Sequence, residues 1–234
     1  MVEAGYQVVN VDLRGCGDSP AEWDRYTRTS IAHALLVVVE HVGAPAVLCG
    51  HSISGGAATI AAAIAPNLVT AVVEIAPFTR KQTVRLKDLR NATYRRSAFR
   101  LLGASVLGNA NQWLSYLDGA YPGEKPDDFD ERKMQIKHML SEPGRMKALR
   151  AMGTSAPADA GEQLRNVRCP VLIVQGGADP DWVDPKAEGE AIVAELPSGL
   201  GRVAMIDGAG HYPHVQHPVE MLALVTDFLS GARA

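Results

Sequence analysis

The chain has 234 residues, 47% hydrophobic and 21% charged, with 23 basic against 26 acidic side chains and a net charge of -3. That balance excludes a disordered chain and a nucleic-acid binder built on a basic surface. The longest apolar stretches, such as Ala57 to Ala65, fall well short of the roughly 20 residues that span a bilayer, so no membrane partner is expected. Met1 to Tyr6 has neither a basic nor a continuous apolar leader pattern, and Cys16, Cys49 and Cys169 are odd in number and lack metal-ligand spacing. A cytoplasmic location and the absence of a bound metal are the expectations.

Glu3-Ala4-Gly5 reads as the last turn of a helix ended by glycine, and Gln7 to Asp12 follows as a predicted strand. Ile31, Leu35, Val38 and Val42 recur at helical spacing and predict a helix over Ser30 to Val42, stopped by Gly43-Ala44-Pro45. Next come a strand at Ala46 to Cys49, a helix from Gly55 to about Ile64 and a strand at Val69 to Ile75. Thr79 to about Leu164 has no run of strand character. The rhythm then resumes with strands at Val171 to Gln175 and Arg202 to Ile206, and helices at Pro185 to about Leu196 and Pro218 to Leu229. This alternation predicts an α/β fold with a mostly parallel sheet flanked by helices. The core is expected in residues 1–78 and 165–234, with a helical cap inserted at 79–164.

The insert divides its charge. Eight basic residues stand against Asp88 between Thr79 and Arg100, and six acids against Lys125 between Asp118 and Glu131. The expectation is two solvated faces that pair with each other rather than a site for an anionic ligand.

Cys49-Gly50-His51-Ser52-Ile53-Ser54-Gly55-Gly56 leaves a strand and opens a small-residue helix, the context of a nucleophile elbow. The turn is so tight that the residues two before and two after the serine must be small, which Gly50 and Ser54 satisfy. Ser52 would stand at the carboxyl edge of the sheet, and the Ile53 amide at the helix N-terminus would face a developing oxyanion. Gly176-Gly177-Ala178-Asp179-Pro180 and Asp207-Gly208-Ala209-Gly210-His211 place an acid and a base just past two later strands. The chain order Ser52, Asp179, His211 suits acyl transfer: Ser52 attacks a carbonyl, His211 moves the proton and Asp179 orients the imidazole.

On these motifs the sequence resembles the α/β-hydrolase superfamily, in its cap-bearing branch of esterases, C–C bond hydrolases, epoxide hydrolases, dehalogenases and cofactor-free haloperoxidases. Asp12-Leu13-Arg14-Gly15-Cys16-Gly17-Asp18-Ser19 is similar to the turn after the family's fourth strand, with Cys16 where histidine is commoner. The resemblance implies a serine hydrolase that cleaves a carboxylic ester or similar small acyl substrate, with no cofactor. Ser52 argues against dehalogenases and epoxide hydrolases, which attack with aspartate. A C–C bond hydrolase or perhydrolase/haloperoxidase of the same fold is the alternative, and a non-catalytic ligand-binding protein on the same scaffold is a third.

Other polar residues have plainer readings. Asp181 lies close enough to Asp179 to be confused with it, and Asp184 before Pro185 reads as a helix N-cap. His214 and His217 read as surface or packing residues, and Cys16 as structural. His51, Trp113, Tyr116 and Trp182 are candidate substrate-binding residues, with core packing the default for each of the three aromatics and a place lining the sheet the plainer reading of His51. The family sheet has three strands before the one matched by Gln7 to Asp12, and the loop after the third of these supplies a second oxyanion donor. No residue of this chain matches them, so the N-terminal strands and second donor are expected to be absent, either through N-terminal shortening, the favoured reading, or in a natural variant that closes the sheet otherwise. Unpaired sheet edges would then favour a homo-oligomer or poor solubility.

Overall fold

A computed structural model describes residues 1–43, 45–82 and 84–232; Ala44, in the middle of the expected helix stop, lies outside the described residues. Helix α1 (Arg28–Val42) leads into β1 (Ala46–His51), α2 (Ile53–Ile64) and β2 (Val69–Ile75). Five helices follow: α3 (Ala92–Ser105), α4 (Ala110–Ala120), α5 (Phe129–Ser141), α6 (Arg145–Gly153) and the short α7 (Ala158–Gly161). The chain then returns through β3 (Val171–Gly176), α8 (Pro185–Glu195), β4 (Gly201–Ile206), α9 (Pro213–Gln216) and α10 (Pro218–Ala232).

The four strands pair in parallel in the order β1-β2-β3-β4. Alternation along each strand feeds two cores, as a sheet covered on both faces requires. Leu48, Val72, Val171 and Ile173 face α1, α2 and α8, where they meet Ile31, Ile60 and Ile192. Ala71, Val73, Leu172 and Val174 face the opposite way onto Met221, Val225 and Phe228 of α10. The Thr27 hydroxyl caps α1 by accepting from the Ser30 amide, and Gly43 ends that helix at φ 88°.

Gln7 to Asp12 forms no strand. Its backbone pairs with none of the four strands, and Val8, Val9 and Val11 are 47%, 47% and 42% exposed. A β-rich run becomes a strand only when a neighbour completes its ladder, and among the described residues none flanks it. The turn that follows is ordered all the same. Asp12 accepts from the Asp18 amide and, through its carbonyl, from the Ser19 hydroxyl. Gly15 packs so closely on α6 that an added Cβ would stand 2.4 Å from that of Ala148.

The charge blocks of residues 79–164 also differ from expectation. Arg80 reaches Glu188 and Glu195 of α8, while Asp118 pairs with Lys125 and Lys133. Among the described residues no ion pair joins the basic stretch to the acidic one, because each block finds opposite charge nearer to hand.

Candidate active site

Three loops converge at the carboxyl ends of β1, β3 and β4. At the first, Ser52 is held at φ 56° and ψ -119°, a conformation a side chain adopts only when its surroundings fix it. Its amide donates to the Ile75 carbonyl at 2.9 Å and its carbonyl accepts from the Phe78 amide at 3.2 Å. A Cβ on Gly50 would lie 2.3 Å from the Ser54 carbonyl oxygen, and one on Gly55 2.9 Å from Pro77, so glycine is required at both places. Ser52 is the residue before α2, which leaves the Ile53 amide at the positive end of the helix.

The second and third loops are laced together. Ala178 donates to the Ala209 carbonyl at 2.8 Å and Gly177 to that of Ile206 at 2.9 Å. His211 Nδ1 stands 2.9 Å from Asp179 Oδ2, both side chains fully buried. This bond assigns the Nδ1 proton and leaves Nε2 for chemistry. Burial works to lower the His211 pKa, but Asp179 and Asp181 outweigh it and raise it to about 9. Among the described residues no hydrogen bond joins Ser52 Oγ to His211. The link between them runs through their neighbours. His51 Nε2 donates to the His211 carbonyl at 2.7 Å, and the Phe78 ring lies 5.7 Å from the imidazole.

The expected substrate-binding residues divide. Trp182 pairs with Phe78 at 5.3 Å, and its buried indole Nε1 has no partner. Tyr116 is instead committed to structure, its hydroxyl donating to Asp181 at 2.6 Å, and Trp113 stacks on it at 5.2 Å. His51 packs under the base turn, 4.7 Å from the His211 ring; burial, then the His211 and His214 charges, hold its pKa well below the ordinary value. Its Nε2 is thereby committed to the base turn. Asp184 caps α8 by accepting from the Ala187 amide at 2.9 Å. Burial, then the nearby Asp12, push the Cys16 thiol up, which fits a packing role.

One residue escaped the sequence reading and another, Asp181, was noted there only as a neighbour of Asp179. Phe78 sits three residues past β2 beside a proline, a position whose orientation depends on the Arg28 guanidinium that donates to its carbonyl at 2.7 Å. Asp181 stands 3.3 Å from His211 Nδ1. Asp179, Asp181 and His211 bring ligand atoms within 4.8 Å of one another, the spacing of a potential cation site. Their atoms are already spent on one another and on Ser97 and Tyr116, so the cluster suits hydrogen bonding better than metal coordination. A hollow of about 270 Å³ bounded by Val106, Lys147 and Arg150 includes none of these residues. A smaller one of about 90 Å³ abuts Tyr116 between α3 and α4.

A family model described as the alpha/beta hydrolase family matches residues 2–224. A pimeloyl-(acyl-carrier protein) methyl ester esterase of Neisseria meningitidis serogroup B is 28% identical over 230 residues, covering 97% of this chain and 84% of that protein. Epoxide hydrolase A of Mycobacterium tuberculosis is 23% identical over 273 residues, covering 99% and 84%. Among solved structures, the 2-hydroxy-6-oxo-6-phenylhexa-2,4-dienoate hydrolase of Rhodococcus sp. strain RHA1 superposes with a TM-score of 0.72 at 15% identity, over 94% of this chain and 78% of that one. That likeness speaks to the fold, a parallel sheet flanked by helices, and the family match runs through nearly the whole sequence. The chain belongs to the alpha/beta hydrolase family.

Proposed function

We propose that the protein is a serine hydrolase that cleaves a carboxylic ester or similar small acyl compound. The observation that carries this reading is the buried Asp179–His211 hydrogen bond at the same sheet edge as the constrained Ser52. Ser52 Oγ attacks the carbonyl while His211 Nε2 takes its proton, and the Ile53 amide receives the oxyanion. His211 returns the proton to the leaving alcohol, and water hydrolyses the acyl-enzyme by the same route in reverse roles. Asp179 holds the imidazole and stabilises its cation.

Phe78 and Trp182 give the acyl group an apolar wall beside the imidazole, and the free indole Nε1 offers it one donor. The methyl ester esterase among the relatives supports ester chemistry. The epoxide hydrolase does not redirect it, because a serine stands where that chemistry uses aspartate. The three free cysteines suit a reducing cytoplasm.

A fluorophosphonate probe is expected to label the wild-type protein and to fail on Ser52→Ala, with hydrolysis of short p-nitrophenyl esters falling by about four orders of magnitude or more. Undiminished labelling of Ser52→Ala would refute the nucleophile. Heat stabilisation by an ester without any turnover would point instead to a binding protein.

A further inference from the structure

Asp181 is a buried carboxylate that the mechanism above does not use. Both of its oxygens are engaged by the inserted helices: Ser97 on α3 donates to Oδ1 at 2.5 Å and Tyr116 on α4 donates to Oδ2 at 2.6 Å. The same Oδ2 stands 3.3 Å from His211 Nδ1, against 2.9 Å for Asp179 Oδ2. The Asp181 amide donates to Asp179 Oδ1 at 2.9 Å, which fixes the spacing of the two carboxylates. The base turn meets the same helices from the other side. His211 donates its amide to the Ala120 carbonyl at 2.9 Å, and a Cβ on Gly210 would lie 2.2 Å from that oxygen.

An anchor for α3 and α4 could be neutral, and burying a second charge beside Asp179 is costly unless a cation is there to meet it. His211 is that cation once it has accepted a proton. We propose that Asp181 is a second positioning carboxylate: held by Ser97 and Tyr116, it shares the Nδ1 side of His211 with Asp179, so the seating of the inserted helices sets the tilt and the proton-holding of the imidazole. This rests on His211 being the base of the serine hydrolase.

The groups that face His211 are Asp179 and Asp181 from the loop after β3, Tyr116 from α4, His51 from β1, and Tyr212 and His214 from its own turn. Burial keeps both tyrosines and both of these histidines uncharged. The two carboxylates therefore supply the charge. When His211 takes the Ser52 proton, the imidazolium is shared between them rather than borne by Asp179 alone.

The pH profile of kcat/KM for a p-nitrophenyl ester separates this role from mere anchoring. Asp181→Asn keeps the shape and an acceptor, and is expected to move the acid limb down by at least about 1 pH unit; Asp181→Glu, which restores the charge, is expected to move it back. A folded Asp181→Asn with an unmoved limb overturns the proposal. Should that variant not fold, nitrogen NMR of the wild-type histidines decides, the His211 signal being assigned by its loss in His211→Gln. An imidazole protonated at pH 7 is the expected result, and a neutral one overturns the proposal. Failure of the wild-type protein to react with a fluorophosphonate would strike the serine-hydrolase reading instead, and the NMR titration still reports on Asp181.

Discussion

Ser52 keeps its conformation because the residues on either side leave it no other. Gly50 admits the Ser54 carbonyl where any side chain would collide with backbone, so Gly50→Ala is expected to open the turn and abolish fluorophosphonate labelling even if the protein folds. Retained labelling in that variant would show that the elbow tolerates more than its geometry suggests. Trp182 carries a different kind of cost, a buried indole donor with nothing to bond. Trp182→Phe removes that unsatisfied group, and is expected to leave the melting temperature unchanged or higher. If the indole meets the bound ester, the same change raises KM about 2- to 10-fold with kcat nearly constant. An unchanged KM would remove Trp182 from the substrate site. His211 sets the pH dependence. A base whose pKa is lifted to about 9 is already protonated at neutral pH, so kcat/KM is expected to climb between pH 7 and about 9. A plateau already reached by pH 7 would contradict that charge balance.

At the level of the elements, α1, α2 and β2 enclose a third buried carboxylate besides Asp179 and Asp181, one that the proposed chemistry does not use. Glu74 on β2 accepts from the hydroxyls of Thr59 on α2 and Thr79 beyond the strand. Burial pushes its carboxyl up to about 7, although the two hydroxyls and the Arg28 charge pull it down. A carboxyl raised above its unfolded value favours the fold while protonated and loses that contribution as pH rises from about 4.5 to about 7, a difference of about 3 kcal/mol. His211, likewise raised, adds stability below about pH 6.5 that fades toward pH 9. Urea unfolding is therefore expected to give a lower midpoint at pH 8 than at pH 5, and Glu74→Gln to remove roughly half of that fall; the same fall in the variant would exonerate Glu74.

The elements were legible in the sequence to the extent that their signals were local. Ala46 to Cys49 and Val171 to Gln175 are apolar runs bounded by proline and glycine, Val69 to Ile75 lies between Pro66 and Pro77, and the strands lie within two residues of all three. Gln7 to Asp12 carries the same signal and forms no strand, since pairing is decided by a neighbour and not by the run itself. Ser52, Asp179 and His211 could be found because each lies in a turn whose glycines are in the sequence. Asp181 could not, since its partners Ser97 and Tyr116 lie 84 and 65 residues away. The packing of helices in the insert decides that contact, and periodicity gives no access to it.

For the whole molecule, β1 is an edge strand with one side free among the described residues. No described strand pairs there, Val47 on it is 37% exposed, and the valines of residues 8–11 are likewise uncovered. We expect self-association through this edge at micromolar concentration, measurable by light scattering on a sizing column. A monodisperse monomer would mean that the edge is protected in some other way.

Arg28 gives the fold a further property. From the first turn of α1 its guanidinium donates to the Phe78 carbonyl at 2.7 Å and to the Ser155 carbonyl at 3.0 Å, while neighbouring Thr29 binds Asp159. Phe78 is where the chain leaves the sheet for the helices, and Ser155 is near where it comes back. One side chain thus staples the two ends of a long excursion at a single doorway, so the closure of that loop is settled locally. The excursion is nevertheless tied to the sheet at more than its doorway: Thr79 donates to the buried Glu74, Ser97 and Tyr116 hold Asp181, and Arg80 reaches Glu188. A segment transplanted between Arg28's two carbonyl partners would have to bring those groups with it, and a graft that lacks them is expected to leave buried carboxylates unpaired.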